Sequence, residues 1–600
     1  MSETTLTNKE SDNSHWNTRK LKMTKEYGPQ SEVSKNLHAE KYREGDESFK
    51  DRMTAIAEHC KDSDEHFDEV RHILYEQKFL PAGRIQSAVG SVRDTTAFNC
   101  FVSDTIPDSL DGIMTKLKEA AKTMQLGGGI GYDFSTLRPT NSRITSINSS
   151  SSGPLAFMDM YDAMCKTIMS AGHRRGAMMG VLRIDHPDVE EFIRAKREQG
   201  RLNMFNVSVG VTNEFMRAVL NDDMFDLRFD GLVYKKVKAT KLWDEIMRST
   251  WDNAEPGILF IDNINLKNNL HYCEDIVATN PCGEQPLPPY GACLLGSFNA
   301  VKYLVKKTVW VTGEEKWFFN YEALRRDIPP IHRMMDNIID RTRYPLPQQE
   351  EEAKDKRRMG VGLTGLANAI EAMGYSYGSS RYIEEQNRIM AELRNGMYQA
   401  SITMSQEKGS FPLYSRTLYP EGNFIKTLPP SIQEGIKEHG IRNSHLLSIA
   451  PTGTISLCAD AISSGIEPVF AHDQRRIVKM PEGDVTMEYQ DYGTAYLGVR
   501  GKKADDVTVS EHVDTLIAAS KYVDSACSKT CNVGDDVTWE EFKDIYMKAW
   551  KGGASGCTTF RAAGFRKGIL EDVNKSRDSI GDTGGSCVYD PITGLRTCDE

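Results

Sequence analysis

Two stretches near the start of the chain, "FKDRMTAIAEHC" (49–60) and "FDEVRHILYEQKFL" (67–80), carry apolar residues at helical spacing within otherwise polar sequence. They predict a small helical region over residues 1–75. From "FLPAGRIQSAVG" to about residue 480 the pattern changes. Short β-rich runs such as "NMFNVSVGV" alternate with amphipathic stretches such as "DSLDGIMTKLKEAAKTM" and "SRYIEEQNRIMAELRNGMYQAS". Such alternation predicts an α/β fold with a largely parallel sheet. No motif repeats at a fixed period of about 20 to 50 residues, which argues against a solenoid. Residues 571–600 are polar, Gly-containing and without apolar periodicity, and predict a flexible tail. That tail carries Cys587 and Cys598.

Composition narrows the class. Of 600 residues, 39% are hydrophobic and 26% charged, the balance of an ordinary soluble chain, and no run is long and apolar enough to span a membrane. The first residues, "MSETTLTNKESDNSHWNTRK", are too polar for a secretory signal, which predicts a cytoplasmic protein. A net charge of −11 without a Lys/Arg-dense face argues against a duplex nucleic-acid binder. The 12 cysteines of a cytosolic chain are not a disulfide scaffold; each is buried, metal-bound or catalytic.

Three segments hold candidate chemistry. "LGGGIGYDF" places Gly127, Gly128, Gly129 and Gly131 before a predicted strand, where backbone can approach a ligand closely, although it is neither a dinucleotide fingerprint nor a P-loop. In "SIAPTGTISLCADAISSGIEPVF", Pro451, Thr452, Gly453, Thr454 and Ser456 precede an apolar helical pattern, as either an anion site or an ordinary capped helix does. In "NPCGEQPLPPYGAC", Asn280 and Glu284 stand two residues either side of Cys282, so extended backbone would project all three side chains from one face. Cys293 follows too far on for a zinc knuckle, and no metal site is expected. An amide, a thiol and a carboxylate converging on a small polyol suit hydrogen-bonding, sulfur and base chemistry.

With these residues in view, the chain resembles the catalytic subunit of ribonucleotide reductase, of the class II, adenosylcobalamin-dependent kind. The likeness runs through "FLPAGRIQSAVGSVRDTTAFNCFVSDTIPDSLDGI", "LGGGIGYDFSTLRP", "GHRRGAMMGVLRIDHPDVEEFI", "NPCGEQPLPPYGACLLGSFN", "RRMGVGLTGLANAI", "APTGTISLCADAISSGIEPVFA", "KGGASGCTTFR" and the terminal cysteine pair, in family order. It implies a ten-stranded α/β barrel over residues 76–570 with a central finger loop. By the same resemblance Cys282 is the thiyl-radical cysteine, Glu284 the base for the 3′-hydroxyl, and Asn280 a hydrogen-bond donor to the sugar. Cys100 and Cys293 are the pair that delivers two electrons and ends as a disulfide, which Cys587 and Cys598 re-reduce with thioredoxin or glutaredoxin behind them. Substrate, a ribonucleotide and more specifically a diphosphate, is expected at Pro451, Thr452, Gly453, Thr454 and Ser456, with Ser87, Asn99 and Gly129 alongside. Deoxynucleoside triphosphate effectors are expected at a homodimer interface through Asp108, Arg138, Arg174 and Arg175, with signalling loops at 172–179 and 196–203 and a dimer-face helix in "PLAFMDMYDAMCKTIM".

What is missing also discriminates. There is no ATP-cone motif in the first eighty residues, no tyrosine pair near the end to relay a radical from a small subunit, and no glycyl-radical loop. A bound cofactor, adenosylcobalamin, is therefore expected as the radical source, although the Asp-x-His-x-x-Gly cobalamin motif is absent. The alternative is a class I large subunit that needs a separate radical-generating partner. Cys527, Cys531 and Cys557 could form a partial metal site, but lack an evident fourth ligand.

Overall fold

Helices α1 (Glu32–Tyr42), α2 (Phe49–Cys60) and α3 (Asp64–Tyr75) each start at a serine, Ser31, Ser48 and Ser63, whose hydroxyl accepts a first-turn amide. At Ser48 the Asp51 side chain returns the bond, completing a capping box. The apolar positions at helical spacing, among them Met53, Ile56, Val70, Ile73 and Leu74, are buried. The computed structural model describes residues 27–170, 174–197, 200–480, 483–534 and 536–561, with the pairs 571–572, 588–589 and 596–597. Cys587 and Cys598 lie outside the described residues. Among those described, no helix is long and apolar enough to cross a membrane.

Ten strands share one mixed sheet: β1 (Phe79–Pro81), β2 (Cys100–Val102), β3 (Gly129–Asp133), β4 (Met178–Arg183), β5 (Phe205–Val211), β6 (Gly257–Phe260), β7 (Ala292–Asn299), β8 (Met359–Thr364), β9 (Thr530–Val533) and β10 (Gly556–Arg561). β2 to β6 lie side by side and parallel. Helical crossovers such as α4 (Leu110–Gln125) and α5 (Gly153–Thr167) make that possible, since parallel neighbours cannot be joined by a tight turn. β7 runs parallel to β8, and β9 to β10. The three groups meet antiparallel at β6–β10 and at β2–β7, with β1 also antiparallel to β7. Beyond β8, the amides of Met359 and Val361 donate to the carbonyls of His445 and Leu446. Ile449 N in turn bonds Ala526 O, on the stretch that enters β9.

Strand alternation gives this sheet two faces. Phe101, Ile130 and Tyr132 point outward into the main core, where α6 (Tyr321–Arg341), α7 (Pro347–Lys356) and the long α8 (Ser380–Lys408) also bury their apolar positions. Cys100, Val102, Met179, Val181, Leu259, Cys293 and Leu295 form a separate, smaller apolar cluster on the opposite face, together with Ile276, Ala278 and Leu287 from the segment between β6 and β7.

Candidate active site

That segment folds back over the inner face as a hairpin. Ala278–Thr279 pairs antiparallel with Pro286–Leu287, and residues 280–285 make its tip. Extended backbone was the expectation around Cys282; the tip is a tight turn instead. Gly283 takes φ +80°, its amide donates to Asn280 O at 3.1 Å, and Asn280 Oδ1 accepts from Gln285 N at 2.9 Å. The side chains consequently part company. Asn280 and Glu284 turn to Cys100, whereas Cys282 lines a cavity walled by Asn206, Ser208, Leu259, Thr530 and Thr558.

Both halves of the sheet hold the tip. Asn206 of β5 donates to Pro281 O at 2.8 Å, and Ala526 N donates to Glu284 O at 3.1 Å. The glycine run clears the space: a Cβ on Gly131 would lie 1.8 Å from Thr279 O, and one on Gly129 3.1 Å from the Pro281 ring. Close backbone approach was expected there for a ligand, and the protein's own hairpin makes it. Gly131→Ala is predicted to push the hairpin off β3, with a loss of at least about 1–3 kcal/mol in stability, the usual cost of overpacking, and a larger loss of activity. Denaturant unfolding and a turnover assay check this; a variant as active and stable as the parent refutes the packing argument.

Cys100 and Cys293 are directly opposed across the β2–β7 ladder, both as free buried thiols. Asn280 Nδ2 donates to Cys100 Sγ at 3.1 Å, and Cys100 Sγ lies 3.6 Å from Glu284 Oε1. The other carboxylate oxygen, Glu284 Oε2, is buried without a hydrogen-bond partner, and so is Asn99 Oδ1 nearby on the chain. Burial raises the Glu284 carboxyl to about 6, against hydrogen bonds from Asn280 and Cys100. Burial and then Glu284 push the Cys282 thiol well above its ordinary value, so it is a neutral S–H at physiological pH. A neutral thiol, a partly neutralised carboxyl with a free oxygen, and an opposed dithiol suit hydrogen-atom, proton and two-electron transfer.

Elsewhere the expected residues fall into two places. Thr452, held at φ +55°, bonds Ser456 Oγ at 3.0 Å and Thr364 Oγ1 of β8 at 2.9 Å, and accepts Gly465 N at 2.8 Å. The helix that follows is only five residues long, Gly453–Leu457, with Pro451 buried before it and Thr454 half-buried on it. Ser87, on the short helix Gly83–Ala88, bonds Arg84 O, and α1 ties both helices together through Ser34 Oγ to Leu457 O and His38 Nε2 to Gln86. The second place is a corner where Asp108 and Arg138 pair with each other at 2.7 Å, each about one-third exposed. Arg174–Arg175 pairs with Met169–Ser170 as a hairpin; residues 172–173 and 198–199 of the expected loops lie outside the described residues. α5 buries Leu155, Met158, Tyr161 and Cys165 and leaves Phe157, Met160 and Met164 half-buried. Cys531 and Cys557 stand on the neighbouring strands β9 and β10, and no group of three His, Cys, Asp or Glu fit for a metal occurs among the described residues.

Asn206 and Thr364 were missed by motif reading. The usable signal was a polar residue at an inward position of an otherwise apolar strand.

The chain matches the family Ribonucleotide reductase, barrel domain, over residues 98–501 and 487–560. It is 34% identical over 519 residues to a vitamin B12-dependent ribonucleoside-diphosphate reductase of Mycobacterium tuberculosis, covering 82% of this chain and 71% of that one. A protein of the same name from Thermoplasma acidophilum is 33% identical over 494 residues, 77% of this chain and 61% of its own. A ribonucleoside-diphosphate reductase subunit alpha of Chlamydia pneumoniae is 24% identical over 440 residues, 64% of this chain and 41% of its own.

Proposed function

Because this chain belongs to the ribonucleotide reductase family, we propose that it reduces ribonucleoside diphosphates to 2′-deoxyribonucleotides with adenosylcobalamin as the radical source. The observation that carries the reading is the finger hairpin, which sets Asn280 and Glu284 against Cys100, itself opposed to Cys293, and holds Cys282 at its tip beside the cavity. The sheet then closes as a barrel around that hairpin, through residues 445–449 and 525–528.

Cys282 carries the radical and takes hydrogen from C3′ of the ribose. Glu284 accepts the 3′-hydroxyl proton through its unpartnered oxygen. Cys100 gives a proton to the departing 2′-hydroxyl, and Cys100 with Cys293 supplies two electrons, becoming a disulfide; Cys282 returns hydrogen to C3′. Enclosure in the sheet keeps water and oxygen from the radical. Adenosylcobalamin, when bound, supplies homolysis of its cobalt–carbon bond. Cys282, the one thiol of the set that remains partly exposed, faces the cavity with Asn206, Ser208, Thr530 and Thr558, so a radical source bound outside would reach it from that side. Substrate phosphates are assigned to Thr452, Thr454 and Ser456, and sugar contacts to Ser87, Asn99 and Gly129. The purified chain with adenosylcobalamin, a dithiol and effector should turn over alone. Activity only on adding a metal-containing small subunit would establish the class I alternative.

Deoxynucleoside triphosphates acting at a homodimer interface select the base reduced, through Asp108, Arg138, Arg174 and Arg175. Asp108→Ala should weaken effector binding and flatten the effector dependence of base choice, removing a coupling of about 1–3 kcal/mol. Competition assays with paired substrates read this directly; undiminished selection would move the site elsewhere. The tail thiols Cys587 and Cys598 carry electrons inward from thioredoxin or glutaredoxin by disulfide exchange, at the high effective concentration a tether provides. Replacing both with serine should stop cycling with thioredoxin while sparing a single turnover of prereduced enzyme, and normal cycling counts against the shuttle.

A further inference from the structure

The two thiols opposed across β2 and β7 do not share one electrostatic environment. β7 and β8 are parallel, with Leu294 beside Met359 and Leu295 beside Gly360. The inner face of β8 is marked by Gly360, where an added Cβ would lie 2.3 Å from Gln285 of the hairpin. Arg358, two residues earlier, continues that face, and the register carried one position back from Leu294–Met359 sets it opposite Cys293.

Arg358 is 2% exposed and its head is fixed. One terminal nitrogen donates to Glu274 Oε1, and the other to His445 Nδ1 at 3.2 Å. With Nδ1 accepting, His445 donates from Nε2 to Asn268 Oδ1 at 3.1 Å, so it is a neutral ring. Lys356 Nζ forms ion pairs with the remaining Glu274 oxygen at 2.9 Å and with Glu352 at 3.0 Å. The Nε–H of Arg358 makes no hydrogen bond and lies 3.6 Å from Glu352 Oε1. A buried guanidinium at the register position opposite Cys293 is placed to stabilise negative charge on that sulfur through its field. Cys100 meets the reverse situation, 3.6 Å from the Glu284 carboxylate.

We propose that Arg358 is a positioning residue that polarises the Cys100–Cys293 pair, making Cys293 the sulfur that accepts the electron pair when the disulfide opens and Cys100 the sulfur that is attacked. This rests on the reading of these two residues as the redox pair. Burial drives both thiols well above the ordinary range. Arg358 then draws Cys293 down against Glu284, Asp524 and Glu352, while Glu284 drives Cys100 further up. Exchange is faster when the leaving sulfur is the better-stabilised thiolate. An incoming thiolate therefore bonds Cys100 Sγ, the Cys100–Cys293 bond breaks, and its electron pair settles on Cys293 beside the guanidinium. A second thiol attacks the incoming sulfur, releasing Cys100, which takes up a proton. Two external thiols are oxidised to one disulfide as the internal disulfide is reduced by two electrons.

The test uses the full chain with Cys587→Ser and Cys598→Ser, so that the tail does not compete, oxidised by one turnover. It is treated briefly with mercaptoethanol, quenched in acid, alkylated and mapped by mass spectrometry. The expected adduct is on Cys100, with Cys293 free. Adding Arg358→Gln with Glu274→Gln, which keeps the buried charge balanced, should slow opening about tenfold and spread the adduct over both sulfurs. Arg358→Lys should restore the preference, which a merely structural role would not predict. An adduct chiefly on Cys293 in the unsubstituted pocket overturns the proposal, and that result does not depend on the double variant folding. An unchanged adduct distribution in a folded double variant overturns it too. If no Cys100–Cys293 disulfide forms after turnover, the redox assignment itself fails, an outcome distinct from a disulfide that opens in the wrong direction.

Discussion

Cys282→Ser is expected to abolish deoxynucleotide formation with any reductant while leaving effector affinity unchanged. An alcohol O–H bond is much stronger than a thiol S–H bond, so serine cannot replace cysteine as a carrier of the radical, however well it fits. Fit is not the difficulty. Cys282 sits at a hairpin tip where it keeps some exposed surface, and the turn is made by Asn280 and Gly283 rather than by its side chain. The substitution should cost stability within the range of about 1 kcal/mol usual for a site without a packing or network role. The Asp108–Arg138 corner lies on different elements and should bind as before. Product formation is measured with adenosylcobalamin and a small dithiol, and effector affinity by calorimetry. Turnover above a few per cent in this variant would falsify a thiyl mechanism at Cys282.

Glu284→Gln should lower turnover by on the order of 10²-fold or more, the scale of a positioned general base, and yet make the protein more stable at neutral pH. Burial raises this carboxyl from about 4.5 to about 6. A group raised on folding contributes stability below its unfolded value and loses it as pH rises through its folded value. At pH 7 the buried carboxylate therefore costs up to ~2 kcal/mol. The neutral amide avoids that cost, and its advantage should vanish as pH falls towards 4.5. Parent turnover should in turn decline below pH 6 as the base is protonated. Denaturant midpoints of parent and variant, compared at both pH values, decide the matter; a variant less stable at pH 7 would mean that the carboxylate is better compensated than its orphaned Oε2 indicates.

The local content of this site was largely legible in the sequence, and its long-range content was not. "NPCGEQ" announced an amide, a thiol and a carboxylate in one short stretch, and the three are indeed neighbours on one hairpin. Period-two reasoning could not anticipate the turn, because a single glycine at positive φ breaks the extended geometry that such reasoning assumes. The glycine run was read as backbone open to a ligand, but pattern alone does not say what comes close, and Thr279 of the chain's own hairpin does. In the sequence, Arg358 figured only inside the segment "RRMGVGLTGLANAI", with no role of its own. Its place beside Cys293 depends on the register of β7 with β8, which is a tertiary property. Helical spacing anticipated the N-terminal helices well, because each is capped by its own neighbours and needs no distant partner.

The β2–β7 ladder also bears on how the molecule comes into being. Cys100 and Cys293 are nearly two hundred residues apart in sequence, and strand pairing at that distance is slow because a long loop must be ordered before any bond is gained. During synthesis at about 5–20 residues per second, Cys100 leaves the ribosome on the order of 10–40 s before Cys293. Throughout that interval neither the opposed thiol nor the hairpin exists. Since β7 is also the partner of β1 and β8, its arrival joins the early strands to the later half of the chain. Translation thus acts as a timer: a nascent or truncated chain that ends before β7 lacks both the opposed thiol and the hairpin to which the proposed chemistry is assigned.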